Sequence, residues 1–292
     1  MQKLFYSIII LAVLSLTQAF GYNGSLMYME YQGVDEGSWN DLKDNQVDQL
    51  PDQVIFPGKA KVVGLFYGKG TWLFGKRHLK NFLYSRRRSY KVIYEKDILN
   101  GSLNKGGFHT LIMPGGKSWI YNENLGSKGA QEILKFVNAG GNYVGICAGA
   151  FYATSHRQGP TPMPTPYGIG LLNGIAFDGT ALKVKPFKGG MLDFKFYMQN
   201  FKKDYRILLL GGPAFLVDET EAKLKRIKMY SEFSKNFPAM IVFEFGKGRV
   251  FLSGPHLEIE ENQSVLGIRY HDPDSEWPIL ESIFVNYFQN TL

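Results

Sequence analysis

The chain has 292 residues, 45% of them hydrophobic and 15% aromatic, with charged residues at only 20%. That is a globular balance, long enough for one large α/β domain with additions or for two small domains. A single cysteine excludes any intramolecular disulfide, and with five dispersed histidines it leaves no ligand set for a structural zinc site. The formal charge of +7 would suit an anionic surface partner. The basic clusters are short, however ("KRHLK" and "SRRRSYK", between residues 76 and 91), and read first as a solvated face. No module with interleaved aromatic and basic residues suggests nucleic acid.

Taken in chain order, residues 1–19 have the form of a secretory signal: Lys3, then the apolar run "LFYSIIILAVLSL", then small residues at Thr17 and Ala19. The run is shorter than the ~20 residues a membrane span needs, so the expectation is an exported protein cleaved after Ala19, periplasmic or extracellular. Residues 20–59 read as an irregular extension. From residue 60 the pattern changes. "KVVGLFY" (61–67) is strand-like, residues 74–86 helical, and "YKVIYE" (90–95) a second strand. "FHTLIMPGG" (108–116) is a strand running into glycines. "SKGAQEILKFVNAGG" (127–141) has helical apolar spacing and a glycine stop, and "NYVGIC" (142–147) is a fourth strand. "GPTPMPTPYGIG" (159–170), with proline at every second position, favours an extended loop that returns across the crevice. "YRILLLGGPAF" (205–215) reads as strand, residues 237–256 as a hairpin turning at "GKG", and residues 276–290 as a closing amphipathic helix. Strands alternating with helices predict a mostly parallel, doubly wound sheet covered on both faces. Ligands of such sheets sit beyond the carboxyl ends of the strands, where "MPGG" and "GICAG" would share one crevice. The domain organisation expected is therefore 1–19 signal, 20–59 extension and 60–292 catalytic-type domain.

Cys147 lies in "GICAG" (145–149), a sequence with the form of a nucleophile elbow, in which glycines permit a tight strand-to-helix turn. A thiol over a helix N-terminus is activated by the dipole and by a nearby imidazole. Such a nucleophile needs a base, and the base an orienting group. His78 and His271 read as solvated, His109 as preceding a strand, and His156 as ending the helix that Cys147 begins. His256 differs, because Glu258 follows two positions later in an extended segment, where side chains share a face; the acid can fix the imidazole tautomer. "GGKS" (115–118) mimics the end of a phosphate loop, but position 111 is leucine where that motif needs glycine.

"GLFYGKGT", "HTLIMPGG", "NYVGICAGAFYAT", "GIGLLNG", "LLLGGPAF" and "GRVFLSGPHLE" stand in this order over about residues 60–288. In that order they resemble the biotin-protein ligase N-terminal domain family, within the class I glutamine amidotransferase-like superfamily. The resemblance implies a flavodoxin-like fold, a Cys147–His256–Glu258 triad, and oxyanion-hole donors from Gly115, Gly116 and the amide of Ala148. It implies no cofactor and no metal. It does not imply biotin ligation, since nothing in the sequence looks like a ligase catalytic domain. The expected function is an exported, cysteine-dependent amidohydrolase or amidotransferase-like enzyme acting on a small-molecule or peptide amide. The rival expectations are a binding or scaffold protein that keeps the fold without turnover, and a peptidase-like relative.

Overall fold

The computed structural model describes residues 49–58, 61–158, 167–177, 190–196, 204–217, 224–227, 229–230, 237–260, 264–265, 268–269 and 275–288. The signal segment, most of the 20–59 extension and residues 159–166 of the proline-rich loop lie outside them.

In chain order the first half gives β1 (Gln53–Val54), β2 (Val62–Phe66), α1 (Leu73–Ser85), β3 (Tyr90–Ile93), α2 (Glu95–Leu99), α3 (Ser102–Lys105), β4 (Phe108–Met113), α4 (Ser118–Asn138), β5 (Asn142–Ile146), α5 (Ala148–Ala153) and β6 (Thr154–Gln158). The second half is richer in strands: β7 (Leu172–Phe177), β8 (Gly190–Phe196), β9 (Asp204–Leu209), β10 (Ala214–Val217), β11 (Leu224–Ile227), β12 (Met229–Tyr230), β13 (Met240–Phe245), β14 (Gly248–Ser253), β15 (Ser264–Val265) and β16 (Ile268–Arg269). It closes with α6 (Trp277–Ser282), which widens into a π-helical turn over Ile283–Tyr287.

The main sheet has eight strands in the order β1-β3-β2-β4-β5-β14-β13-β11. β3, β2, β4, β5 and β14 are mutually parallel. Their spatial order is that of a flavodoxin-like doubly wound sheet. The antiparallel hairpin β13–β14 and strand β11 extend one side, and β1 caps the other by pairing with β3. The sheet therefore starts ahead of residue 60, inside the stretch expected to be irregular.

Alternation along the strands divides the core in two. Val63, Leu65, Ile112, Val144, Ile146 and Phe251 face α1 and α6, meeting Leu79, Phe82, Trp277 and Leu280. Phe66, Leu111, Met113, Tyr143 and Val250 face the opposite way, onto Ile98, Tyr121, Ile133 and Phe136 of α2 and α4. Both faces are dry because the βα crossovers deliver a helix to each.

Three expectations need correction. The helix read over 127–141 is only the second half of α4; the first half starts at Ser118, and Gly126 breaks the two at φ 54° and ψ −162°. Residues 205–215 are two strands in two sheets: β9 belongs to the sheet β12-β8-β9 and β10 to β10-β7-β6. Their connection crosses close to Gly254, since a Cβ on Gly212 would run into the Gly254 carbonyl. His156 does not end the helix after Cys147, because α5 stops at Ala153 and His156 stands in β6.

Candidate functional site

Cys147 is the residue between the end of β5 and the start of α5, with φ 50° and ψ −104°. Among the described residues only Arg87 is another non-glycine at positive φ. A side chain held there costs on the order of 1–3 kcal/mol and persists only where its surroundings fix it. The Cys147 amide donates to the Ser253 carbonyl of β14 (2.8 Å), and its own carbonyl accepts from Ala150 and Phe151 (3.1 and 3.0 Å). The glycines are forced by close approach. A Cβ on Gly149 would collide with the Met113 carbonyl, and one on Gly145 would stand 2.7 Å from the Gly149 oxygen. The thiol is 6% exposed and points at the Leu210 carbonyl, 3.6 Å away.

His256 follows β14 by three residues. Its amide donates to Leu208 (2.9 Å), tying it to the end of β9. Nδ1 donates to Glu258 Oε1 at 2.8 Å, and the two side chains are 1% and 0% exposed. The spacing of two thus brings imidazole and carboxylate together. His256 and Cys147 flank Gly115: a Cβ built there would lie 2.6 Å from His256 Cε1 and 3.4 Å from Cys147 Cβ. Burial alone would push the imidazole down, but the Glu258 carboxylate and then the Cys147 thiol outweigh it and hold His256 up to about 10. Nε2 is buried and makes no well-formed hydrogen bond among the described residues; the thiol of Cys147 also acts on the ring. The Trp72 ring packs edge-on against the imidazole at 5.1 Å. Gly75 of α1 leaves room for Glu258, since a Cβ there would be 2.9 Å from Oε1, and Trp277 Nε1 donates to the Glu258 carbonyl (3.2 Å).

The glycines after β4 form the third part. Gly116, at φ 143°, is bridged to Thr71, with bonds running from Trp72 N–H to Gly115 O and from Lys117 N–H to Gly70 O, both 2.8 Å. In this arrangement the Gly116 N–H takes no part in the ladder. The Pro114 carbonyl accepts from Gly149 N–H at 3.0 Å. The buried Tyr121 hydroxyl lies 3.1 Å from both Pro114 O and Gly115 O. Ala148, first residue of α5, has an N–H that its helix cannot satisfy.

The other histidines sit elsewhere. His78 is buried in α1, its ring 4.4 Å from that of Phe74, not solvated as its basic surroundings suggest. His109 lies within β4, its Nδ1 3.1 Å from the Val62 carbonyl. His156 is exposed, its Nδ1 2.8 Å from Ser155 Oγ. His271 lies outside the described residues. Much of the basic cluster is used internally. Lys76 sits 4.2 Å over the Tyr67 ring, Lys80 binds the Leu50 carbonyl (2.6 Å), and Arg88 pairs with Glu281 (2.6 Å). Among the described residues no group of three His, Cys, Asp or Glu side chains could hold a metal, and no helix is long and apolar enough to cross a membrane. Tyr121, Trp72 and Leu210 touch the site without having been read from the sequence. Tyr121 and Trp72 lie in stretches with no chemical motif of their own, and Leu210 lies at the end of an apolar strand.

At the carboxyl edge of a doubly wound α/β sheet, a strained cysteine elbow thus stands beside a buried His–Glu pair. Residues 63–159, from β2 through β6, match the family described as biotin-protein ligase, N terminal, and the resemblance carried by the motifs is borne out there. A biotin–protein ligase of Schizosaccharomyces pombe is 29% identical over 166 residues, 53% of this chain and 26% of the ligase. An uncharacterized protein of Chlamydia muridarum is 28% identical over 156 residues, 51% of this chain and 60% of that protein. The chain spans less than two thirds of either relative. Among solved structures, a glutamine amidotransferase of Thermotoga maritima superposes with a TM-score of 0.42 at 14% identity, over 68% of this chain and 76% of its own. A β-galactosidase of Bacillus circulans gives 0.47 at 12% identity, over 78% of this chain and 30% of its own.

Proposed function

We propose that the protein is a cysteine-dependent acyl-transfer enzyme that cleaves a C–N amide bond of a small-molecule or peptide substrate through Cys147, His256 and Glu258. The observation that carries the reading is the 2.8 Å His256–Glu258 pair, set beside a cysteine held at φ 50°. The raised His256 pKa favours imidazolium beside the Cys147 thiol. In the proposed cycle the thiolate attacks the carbonyl carbon, and the C=O electron pair moves onto oxygen, where the amides of Gly115, Gly116 and Ala148 receive it. Collapse expels the amine, which takes the proton from His256 Nε2 and leaves a thioester. Water then attacks with His256 as base, releasing the acid and restoring the thiol. Glu258 keeps Nδ1 protonated throughout. The signal-like segment 1–19 supports export with cleavage after Ala19, to be checked by the mass of the mature N-terminus.

The test is mapping of a covalent acyl adduct on Cys147 after mixing with p-nitrophenyl acetate, with burst release of nitrophenolate. The absence of any adduct at pH 6–9 favours the second reading, a binding protein on the same fold. The observation behind that alternative is the thiol's burial against the Leu210 carbonyl.

A further inference from the structure

A trans peptide sets the carbonyl of one residue and the N–H of the next on opposite sides of one plane. Whatever holds the Pro114 and Gly115 carbonyls therefore aims the N–H groups of Gly115 and Gly116. Two backbone donors act on these carbonyls, Gly149 N–H on Pro114 O and Trp72 N–H on Gly115 O. Among the described residues the one side chain joining both is Tyr121, fully buried, its hydroxyl equidistant from the two oxygens. Resting on the reading of the site as an acyl-transfer centre, we propose that Tyr121 is the positioning residue of the oxyanion loop: its hydroxyl keeps both peptide planes turned so that their N–H groups enter the crevice beside Cys147.

The surroundings fit the role. Tyr121 lies in the first turn of the long helix α4, one turn past the loop it holds, and its ring is wedged edge-on against Phe66 (5.5 Å) and Tyr152 (6.0 Å). It has little freedom to swing away. Burial, with the Cys147 and Glu95 charges adding to it, raises the phenol well above its ordinary range, so the hydroxyl stays a donor while the thiolate forms. Tyr121→Phe is also a clean probe. Each carbonyl keeps its backbone donor, so no buried acceptor is orphaned, and the ring packing is retained.

The experiment compares the parent with Tyr121→Phe in three readouts. Alkylation of Cys147 by iodoacetamide proceeds at a saturated carbon and needs no oxyanion; acetylation by p-nitrophenyl acetate does. The expected result is a fall in acetylation of about tenfold or more, below the ~10²–10³ for outright loss of a donor. The alkylation rate and its pH profile should stay within about twofold. Amide hydrogen exchange of Trp72 and Gly149, which share the loop carbonyls, should quicken about tenfold as the loop opens more often. Unchanged exchange at both amides overturns the inference whatever acetylation does, as does an equal fall in acetylation and alkylation. A melting temperature lower by more than about 10 °C also overturns it, since the hydroxyl would then serve the fold as a whole. If the parent shows no acetylation but exchange quickens, the loop inference stands and the acyl-transfer reading falls.

Discussion

His109 and His256 belong to opposite ends of the same parallel sheet and are held in opposite charge states. At the amino end, His109 in β4 is lowered to about 4, first by burial, which its bond to the Val62 carbonyl only partly offsets, and further by the Lys61 and Arg88 charges. At the carboxyl end, His256 is the more deeply buried of the two, yet stands at about 10 because a carboxylate and a thiol reach it. Burial therefore does not by itself decide what a histidine is for. The neutral form is the default inside a protein, and only a charged partner reverses it. The topology explains where that partner is found: turns after β2, β4, β5 and β14 converge at the carboxyl edge.

The comparison breaks most completely if Cys147→Ala leaves acyl transfer intact. We expect this variant to lose adduct formation and thiol labelling altogether while melting close to the parent, because removing one sulfur from a turn leaves little cavity beside the ~2–5 kcal/mol of a large core deletion. His256→Ala should cut acyl transfer by about 10²–10⁴-fold and move the alkylation profile of Cys147 to higher pH, since the imidazolium that favours thiolate is gone. Glu258→Gln should move it the same way by less. Alkylation rates followed by mass spectrometry across pH 5–10 check all three, and an unmoved profile in His256→Ala would remove the dyad.

The ordering of these effects was largely legible in the sequence, because elbow and base both announce themselves locally. Glycine at 145 and 149 marks a turn too tight for side chains, and His256 and Glu258 share a face by strand periodicity alone. The parallel strands were equally plain from their apolar runs. What could not be read was anything depending on contact between distant segments. His78 looked solvated among lysines and arginines, but α1 turns it inward onto Phe74. Tyr121 sits in "SWIYNENLG", where Ser118, Tyr121 and Leu125 mark the buried side and only the last two are apolar, too few positions for a helical period. The edge strand β1 has two residues, below the length at which alternation carries a signal. Leu210 reaches the thiol because β9 and β10 part company into different sheets, a division that the run of apolar residues conceals.

The two ends should also separate in stability. His256 is raised from 6.5 to about 10, so the folded state holds its proton more tightly than the unfolded chain. Its contribution is complete below about pH 6.5 and is lost as the pH rises through about 10. His109 is lowered from 6.5 to about 4, so the unfolded chain takes the proton first. It costs nothing above about pH 6.5 and subtracts stability as the pH falls toward about 4. Urea midpoints measured from pH 4 to 10 should thus lose their acid arm in His109→Gln and part of their alkaline arm in His256→Asn. If each substitution flattened the other's arm, the assignment of the two charge states would be reversed.

The smallest expected effect sharpens the comparison through a histidine outside both environments. His156 stands in β6 only nine residues after Cys147, close enough in sequence to compete for the role of base. It is exposed, however, its Nδ1 is taken up with the neighbouring Ser155 hydroxyl at 2.8 Å, and among the described residues it has neither a carboxylate partner nor contact with the thiol. A solvated imidazole interacts through high dielectric and salt, so its charge reaches Cys147 weakly. His156→Ala should shift the alkylation profile by less than about 0.2 pH unit at 0.15 M salt and leave acetylation by p-nitrophenyl acetate unchanged. A shift as large as that of His256→Ala would mean that sequence proximity, and not the carboxyl edge of the sheet, supplies the base.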